Sequence, residues 1–301
     1  MSSKKVKHVS IILKPRVVNE FSTILPNLTK WLMRRKKTIS FATTELERIK
    51  KIFKNVPKNI TFLNEKEIHE QSDLIITFGG DGTFIGHARK CKRNSPPVFG
   101  VNMGHLGFIT EFAKHEFYDG LEHAINGKFE TTKLCLYSAQ IFKKEKLISK
   151  SYFLNDAVIN KNDISRMFTV EVEADDENIY NLAGDGLIIS SPIGSTAYSL
   201  AAGGPIIHPS VNSMALTPIC AHALTHRPMV ISDRSKIVVK PTSSSEAVTL
   251  TLDGQEAFVI KNGERVVITK NTARYVKIVK NPERTYYHTL KEKFKHGRRD
   301  G

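Results

Sequence analysis

The apolar pattern of this chain changes period once, near residue 130, and that change restricts the fold more than any other feature. Before it, short continuous apolar runs alternate with helical spacing. Val9–Leu13, Leu74–Phe78 and Pro97–Val101 read as buried strands. Phe21, Ile24, Leu25, Leu28, Trp31 and Leu32 follow the i, i+3, i+4 spacing of an amphipathic helix, which Pro26 weakens or delays. Thr83–Arg93 is helix-compatible, and Phe117, Leu121, Ala124 and Ile125 mark another helix. Residues 34–58 are Lys-rich with only partial helical pattern and are expected to form a mobile surface segment. Strand, helix, strand at this spacing predicts a parallel sheet with flanking helices.

After Phe129 the runs become short and mostly alternating, from Leu134–Ile141 through Val276–Ile278, with Gly, Asn, Asp and Ser between them. That is the pattern of an all-β unit. The expected organisation is an α/β domain over 1–130, an all-β domain over 131–290 and a flexible polar tail over 291–301.

Composition narrows the class. In 301 residues, 40% hydrophobic and 25% charged content is that of a globular protein, which excludes collagen-like, mucin-like and wholly disordered readings. No apolar run approaches the roughly 18 residues of a membrane span. Val9–Leu13 is closed by Lys14 and Pro15, too short for the core of a signal peptide. Cys91, Cys135 and Cys220 are dispersed without C-x-x-C spacing, which predicts reduced thiols in a cytoplasmic protein. It excludes a disulfide scaffold and a cysteine-built zinc module.

The net charge is +15, and residues 1–70 alone hold 16 Lys/Arg against 6 Asp/Glu. Such a field concentrates phosphorylated ligands and nucleic acid alike, and solvated lysine faces produce the same count. Charge therefore does not choose a function.

The residues that carry chemistry begin at Gly79-Gly80-Asp81-Gly82-Thr83, directly after one buried strand and before a helix. Glycines there let a backbone approach a phosphate, and the amides of the following helix start point at the anion. A carboxylate in such a loop repels phosphate, so Asp81 needs another task. It would hold Mg²⁺ or accept a proton from a hydroxyl being phosphorylated, unless it is simply the N-cap of the helix. No G-x-x-x-x-G-K-S/T motif is present, and Gly80, Gly82 and Gly86 miss the dinucleotide fingerprint by one position. A second cluster runs from Gly184 to Pro205, with Ser190, Ser191, Gly194, Ser195, Thr196, Ala197 and Tyr198. Its small hydroxyl residues and one tyrosine suit a flat heterocycle and a ribose, although a Gly/Ser loop between strands has the same composition. Tyr198 on its own would read as core.

These segments, in this order, resemble the NAD kinase family of bacterial type over nearly the whole chain. The resemblance rests on Gly79–Thr83, Asn102-Met103-Gly104-His105-Leu106-Gly107-Phe108, Asn155-Asp156, Gly184-Asp185-Gly186, Gly194–Ser199 with Gly203-Gly204-Pro205, Arg227-Pro228 and Asp253-Gly254-Gln255. The first motif alone is shared with lipid kinases and phosphofructokinases. The resemblance implies an α/β domain followed by an all-β domain with the site in the cleft between them, ATP as donor and the adenosine 2′-hydroxyl of NAD as acceptor. It implies Asp81 as the base, with Gly79, Gly80, Gly82 and Thr83 near the transferring phosphates. Phe108, Asn155, Asp156, Asp185, Thr196, Ala197, Tyr198 and Gln255 would contact NAD. No side chain is assigned as a resident metal ligand; Mg²⁺ would arrive with ATP. Family members are homodimers or homotetramers in which a neighbouring subunit completes the NAD site. Two departures are Ala183, where many bacterial members have Arg, and Ile193, in place of Thr.

His87, His105, His208, His222 and His226 show no metal-ligand spacing and are read as structural or as hydrogen-bonding groups. Two rival functions remain. A lipid or sugar kinase would use the same glycine loop, but the chain has no membrane-binding amphipathic face. A non-catalytic nucleic-acid binder would use the basic first third, but no helix-turn-helix or RNA-reading signature is present. Neither nucleic acid nor membrane is an expected partner.

Overall fold

The structure, a computed structural model, describes residues 5–15, 18–104, 107–161, 168–223, 225–242 and 248–295. His105 and Leu106 of the Asn102–Phe108 motif, and residues 296–301 of the expected tail, lie outside the described residues. The chain forms two compact units: residues 1–134 with 275–301, and residues 135–274. The second crossing, at Tyr275, lies inside the range expected for the all-β domain, because one long strand begins in the second unit and ends in the first.

In chain order the first unit holds β1 (His8–Leu13), α1 (Phe21–Arg34), β2 (Thr38–Ala42), α2 (Leu46–Phe53), β3 (Ile60–Leu63), α3 (Glu65–Gln71), β4 (Leu74–Gly79), α4 (Asp81–Ala88), β5 (Val98–Asn102), β6 (Phe112–Ala113) and α5 (Phe117–Ile125). The chain continues through β7 (Thr131–Lys143), β8 (Lys146–Phe153), β9 (Asp156–Lys161), β10 (Phe168–Ala174), β11 (Glu177–Gly184) and β12 (Gly186–Ser190). Then come α6 (Tyr198–Ala201), β13 (Ser213–Ile219), β14 (Met229–Ser232), β15 (Ile237–Pro241), β16 (Val248–Leu252), β17 (Glu256–Ile260), β18 (Glu264–Val279) and α7 (Tyr286–Lys295).

The first unit is built on a parallel sheet in the order β3-β2-β1-β4-β5. All six residues of β4 are buried, as expected of a strand covered on both faces. Phe21, Leu25, Leu28 and Leu32 of α1 pack with Val9, Ile11, Ile76, Phe78, Phe99 and Val101 on one face. Gly100 points to the other face and lies against Phe84 of α4. Pro26 sits inside α1 without ending it. It removes one backbone hydrogen bond in the second turn, and the buried Phe21–Leu32 stripe outweighs that loss.

Residues 34–58 are not the mobile surface segment expected from their lysines. They contain β2 and α2, and Ile39, Phe41 and Ile49 are fully buried. The lysines hide a short strand whose apolar residues are few, with Ser40 between Ile39 and Phe41. Likewise 291–295, expected as tail, continue α7.

The second unit is a β-sandwich. One sheet runs β14-β13-β12-β9-β16-β17 and is antiparallel throughout. The other joins β11, β10, β15 and the first part of β18, with β7 and β8. Ala157, Ile159, Leu187, Ile189 and Leu250 from the first sheet meet Phe153, Phe168, Val170, Val239 and Ile268 from the second in a shared core.

Candidate functional site

In the first unit, the strand order reverses direction between β1 and β4, so the loops at their carboxyl ends open at the point where doubly wound sheets take ligands. β4 ends at Gly79 and α4 begins at Asp81. A Cβ at Gly80 or Gly82 would meet nothing within 4 Å, whereas at Gly79 it would lie 2.2 Å from the Thr83 hydroxyl. Among the described residues nothing occupies the place of a Cβ at Gly80 or Gly82, and Thr83 fills the space behind Gly79.

Asp81 is the first residue of α4, and Gly80 is its N-cap; no side chain caps this helix. The N-cap alternative for Asp81 therefore fails. Its carboxylate is engaged elsewhere: Oδ2 accepts from the Phe108 amide at 2.8 Å. Oδ1 accepts from the amides of Ile109 at 3.2 Å and Thr110 at 3.0 Å and from the Thr110 hydroxyl at 2.9 Å. Thr110 in turn accepts from Asn102 Nδ2 at 2.9 Å, and Asn102 Oδ1 accepts from the Gly104 amide at 2.8 Å. Gly107 makes this possible, since a Cβ there would stand 2.0 Å from Asp81 Oδ1. Phe108 itself is half-buried, 6.1 Å from the Tyr286 ring and beneath Lys293 of α7, whose Nζ is 5.6 Å from its centroid.

In the second unit a second aspartate makes the same kind of contact. Asp253 lies in the left-handed region, at φ 53°, in the turn after β16. Its carboxylate accepts from the amides of Leu154, Asn155 and Asp156 at 2.9, 2.7 and 3.2 Å. This ties the Gln255 turn to the start of β9. The Asn155 side-chain oxygen is buried, with no hydrogen-bond partner among the described residues. Asp156 is 4% exposed, and burial, helped by the Asp253 charge, pushes its carboxyl up to about 7. Opposite it on β12 stands Ser190, also buried, its hydroxyl without a partner among the described residues.

The Gly194 segment docks on the same place. The Ser191 amide donates to the Asn155 carbonyl at 2.8 Å, and the Ser191 hydroxyl to the Leu154 carbonyl at 2.6 Å. A Cβ at Gly194 would come 2.0 Å from the Asn155 carbonyl oxygen. Thr196 and Ala197 follow in a tight turn, with the Thr196 hydroxyl on the Ile193 carbonyl at 3.1 Å. Tyr198 opens α6 at 49% exposure, so the core reading of this tyrosine fails.

Asn155, Asp156, Gln255 and Thr196–Tyr198 are thus gathered at one end of β9, β12 and β16. Asp185 is not. It precedes β12 at the opposite end, where Gly186 pairs with Asn160, roughly 15 Å away along the strands. Asp185 is bonded to Lys161 Nζ at 2.7 Å, which holds its carboxyl below the usual range.

Thr110, Gly107, Asp253 and Lys161 were not assigned from sequence. Gly107 and Asp253 belong to the motifs above, but Asp81, which Gly107 lies against, and Leu154–Asp156, which Asp253 holds, are far from them along the chain. Nothing in the sequence marked Thr110 or Lys161.

Comparison with known proteins adds to this geometry. Residues 9–129 match the family model for the ATP-NAD kinase N-terminal domain, and 154–280 that for the ATP-NAD kinase C-terminal domain. The NAD kinase of Geotalea daltonii is 40% identical over 233 residues, 77% of this chain and 82% of that protein. The NAD kinase of Solibacter usitatus is 35% identical over 294 residues, 98% of this chain and 99% of that protein. In fold, the crystal structure of yeast NADH kinase complexed with NADH superposes with a TM-score of 0.88 at 24% identity, covering 99% of this chain and 89% of that one.

Proposed function

The chain belongs to the NAD kinase family, whose members phosphorylate NAD to NADP with ATP, and we propose that Asp81 is the base of that reaction. The 2′-hydroxyl oxygen of the NAD adenosine attacks the γ-phosphorus of ATP. The new O–P bond forms as the bond to the β-phosphate oxygen breaks, ADP leaves, and Asp81 takes the hydroxyl proton.

The observation that carries this role is the occupancy of the Asp81 oxygens. Among the described residues, Oδ1 takes three donors and Oδ2 only the Phe108 amide. One oxygen is fixed and the other keeps capacity to accept a substrate hydroxyl. A positioned base of this kind contributes about 10² to 10⁴ in rate. The room where a Cβ would stand at Gly80 and Gly82 supports their role, with Gly79 and Thr83, beside the phosphates.

Asn155, with a buried oxygen lacking a partner among the described residues, and Asp156 are assigned to the ribose and adenine groups of NAD, along with Thr196, Ala197, Tyr198, Phe108 and Gln255. Asp185 is assigned to the nicotinamide end, and its distance from Asp156 suits the two ends of an extended dinucleotide. Mg²⁺ would enter with ATP and would supply positive charge to offset that developing on the transferred phosphoryl group. The fit is that of a borrowed ion: one aspartate with a single partly used oxygen offers no all-protein cage. A homodimer or homotetramer is part of this proposal. So is a cytoplasmic location, supported by three cysteines outside any disulfide. No helix among the described residues is long and apolar enough to cross a membrane.

The test is a coupled assay of NADP formation from NAD, ATP and Mg²⁺, run with wild type and Asp81→Asn. The expected result is turnover by wild type and a loss of at least about 100-fold in the variant, with NAD binding by calorimetry retained. Undiminished turnover in Asp81→Asn would remove the assigned role.

A further inference from the structure

On the first unit, away from Asp81, three metal-ligand side chains converge from separate places in the sequence. His69 comes from the last turn of α3, His87 from the last turn of α4, and Cys91 from the turn that follows. Their ligand atoms all lie within 4.8 Å of one another. His87 and Cys91 are buried and His69 half-buried, with both ring nitrogens of His69 turned away from solvent. The two imidazoles stack at 5.0 Å with planes 6° apart. Cys91 Sγ is 3.8 Å from His87 Nε2. In a tetrahedral zinc site with Zn–N of about 2.0 Å and Zn–S of about 2.3 Å, that edge is about 3.6 Å.

We propose that His69, His87 and Cys91 form a zinc site, one ion per chain, with the fourth position open to water. His87 on the last turn of α4 and Cys91 in the turn that follows bring their donor atoms to 3.8 Å of each other. The third donor is brought by α3, and a 2.6 Å ion pair between Lys90 and Glu65 ties the two helices beside the cluster. Two nitrogens and one sulfur select a borderline or soft cation over Mg²⁺, which prefers oxygen. An imidazole coordinates as the neutral ring, through the nitrogen that carries no proton. On binding, the Zn–S bond forms as the Cys91 thiol proton leaves to solvent. Nothing in phosphoryl transfer uses these residues, so the site stands or falls independently of the Asp81 assignment.

The probe is Co²⁺, whose bond to thiolate gives a near-ultraviolet charge-transfer band and tetrahedral visible bands. Reduced full-length protein, stripped of metal with chelator, is titrated with Co²⁺ without oxygen. The expected result is saturation at one equivalent, displacement by Zn²⁺ and none by excess Mg²⁺. Cys91→Ala should abolish the charge-transfer band, and His69→Gln should weaken binding by at least about tenfold. His69 is half-buried, so its variant keeps the test intact if Cys91→Ala does not fold by circular dichroism. No charge-transfer band in wild type overturns the site. So does full binding by the His69→Gln variant, or a band that survives in Cys91→Ala, which would place the metal on Cys135 or Cys220.

Discussion

Thr110 grips Asp81 twice, through its amide at 3.0 Å and its hydroxyl at 2.9 Å, both on the same carboxylate oxygen. The backbone bond fixes where Asp81 sits, and the side-chain bond links it to Asn102 behind. Thr110→Val keeps the shape and the amide but removes the hydroxyl. A hydrogen bond to a charged group contributes about 1.5–3 kcal/mol. The expected outcome is a kcat lower by roughly tenfold to a hundredfold with KM nearly unchanged. Steady-state kinetics with both substrates checks it, and an unchanged kcat would mean the hydroxyl does not hold the reactive geometry.

Gly107→Ala should cost activity far more than stability. The added Cβ would fall 2.0 Å from Asp81 Oδ1 and 2.4 Å from the Thr110 hydroxyl, and the carboxylate is the group able to yield. A displacement of about 1 Å at a reacting group costs on the order of a hundredfold in rate. A thermal melt beside the coupled assay separates the two effects; comparable damage to both would count against this account.

Asp253 holds three consecutive amides, so its loss should be felt first as stability. In Asp253→Ala the amides of Leu154, Asn155 and Asp156 lose their acceptor. Each unsatisfied group costs about 1–3 kcal/mol, and a destabilisation of at least roughly 3 kcal/mol is expected. Asp253→Asn keeps one acceptor oxygen and tolerates the left-handed φ of 53°, so it should lose less. Chemical denaturation of the two variants tests the order.

Asp156 predicts a particular pH dependence. Its carboxyl is raised to about 7 in the fold, by burial first and by the Asp253 charge next, from an ordinary value near 3.9. The unfolded chain therefore releases this proton first as pH rises. The Asp156 contribution to stability is full below about pH 4, declines between about 4 and 7, and is lost above 7. Asp156→Asn has no such loss. Its melting temperature relative to wild type should climb from pH 4 to 7 and level off beyond, by an amount worth a few kcal/mol at most. A pH-independent difference would show that the carboxyl titrates normally.

Much of the architecture could be read directly. The run Leu74–Phe78 is apolar but for Thr77 because both faces of β4 are covered, and the short alternating runs after Phe129 match one-sided strands of a sandwich. Residues 34–58 misled because lysines outnumber the three buried apolar residues Ile39, Phe41 and Ile49 that hold β2 and α2 in place. Tyr198 and Asp81 each had a bland alternative, core and N-cap, and only exposure and hydrogen bonding removed those alternatives.

The sequence by itself determined the loop chemistry and the periods of the two halves, because glycine freedom and side-chain alternation are properties of neighbouring residues. Tertiary structure alone decided what each functional group meets. Thr110 reaches Asp81 across 29 positions, and Asp253 reaches Asn155 across 98. His69 meets His87 and Cys91 only because α3 and α4 lie together. Hydrogen bonds and metal bonds act over about 3 Å of space whatever the separation along the chain. No spacing rule records them, and the packed core that brings those groups together does.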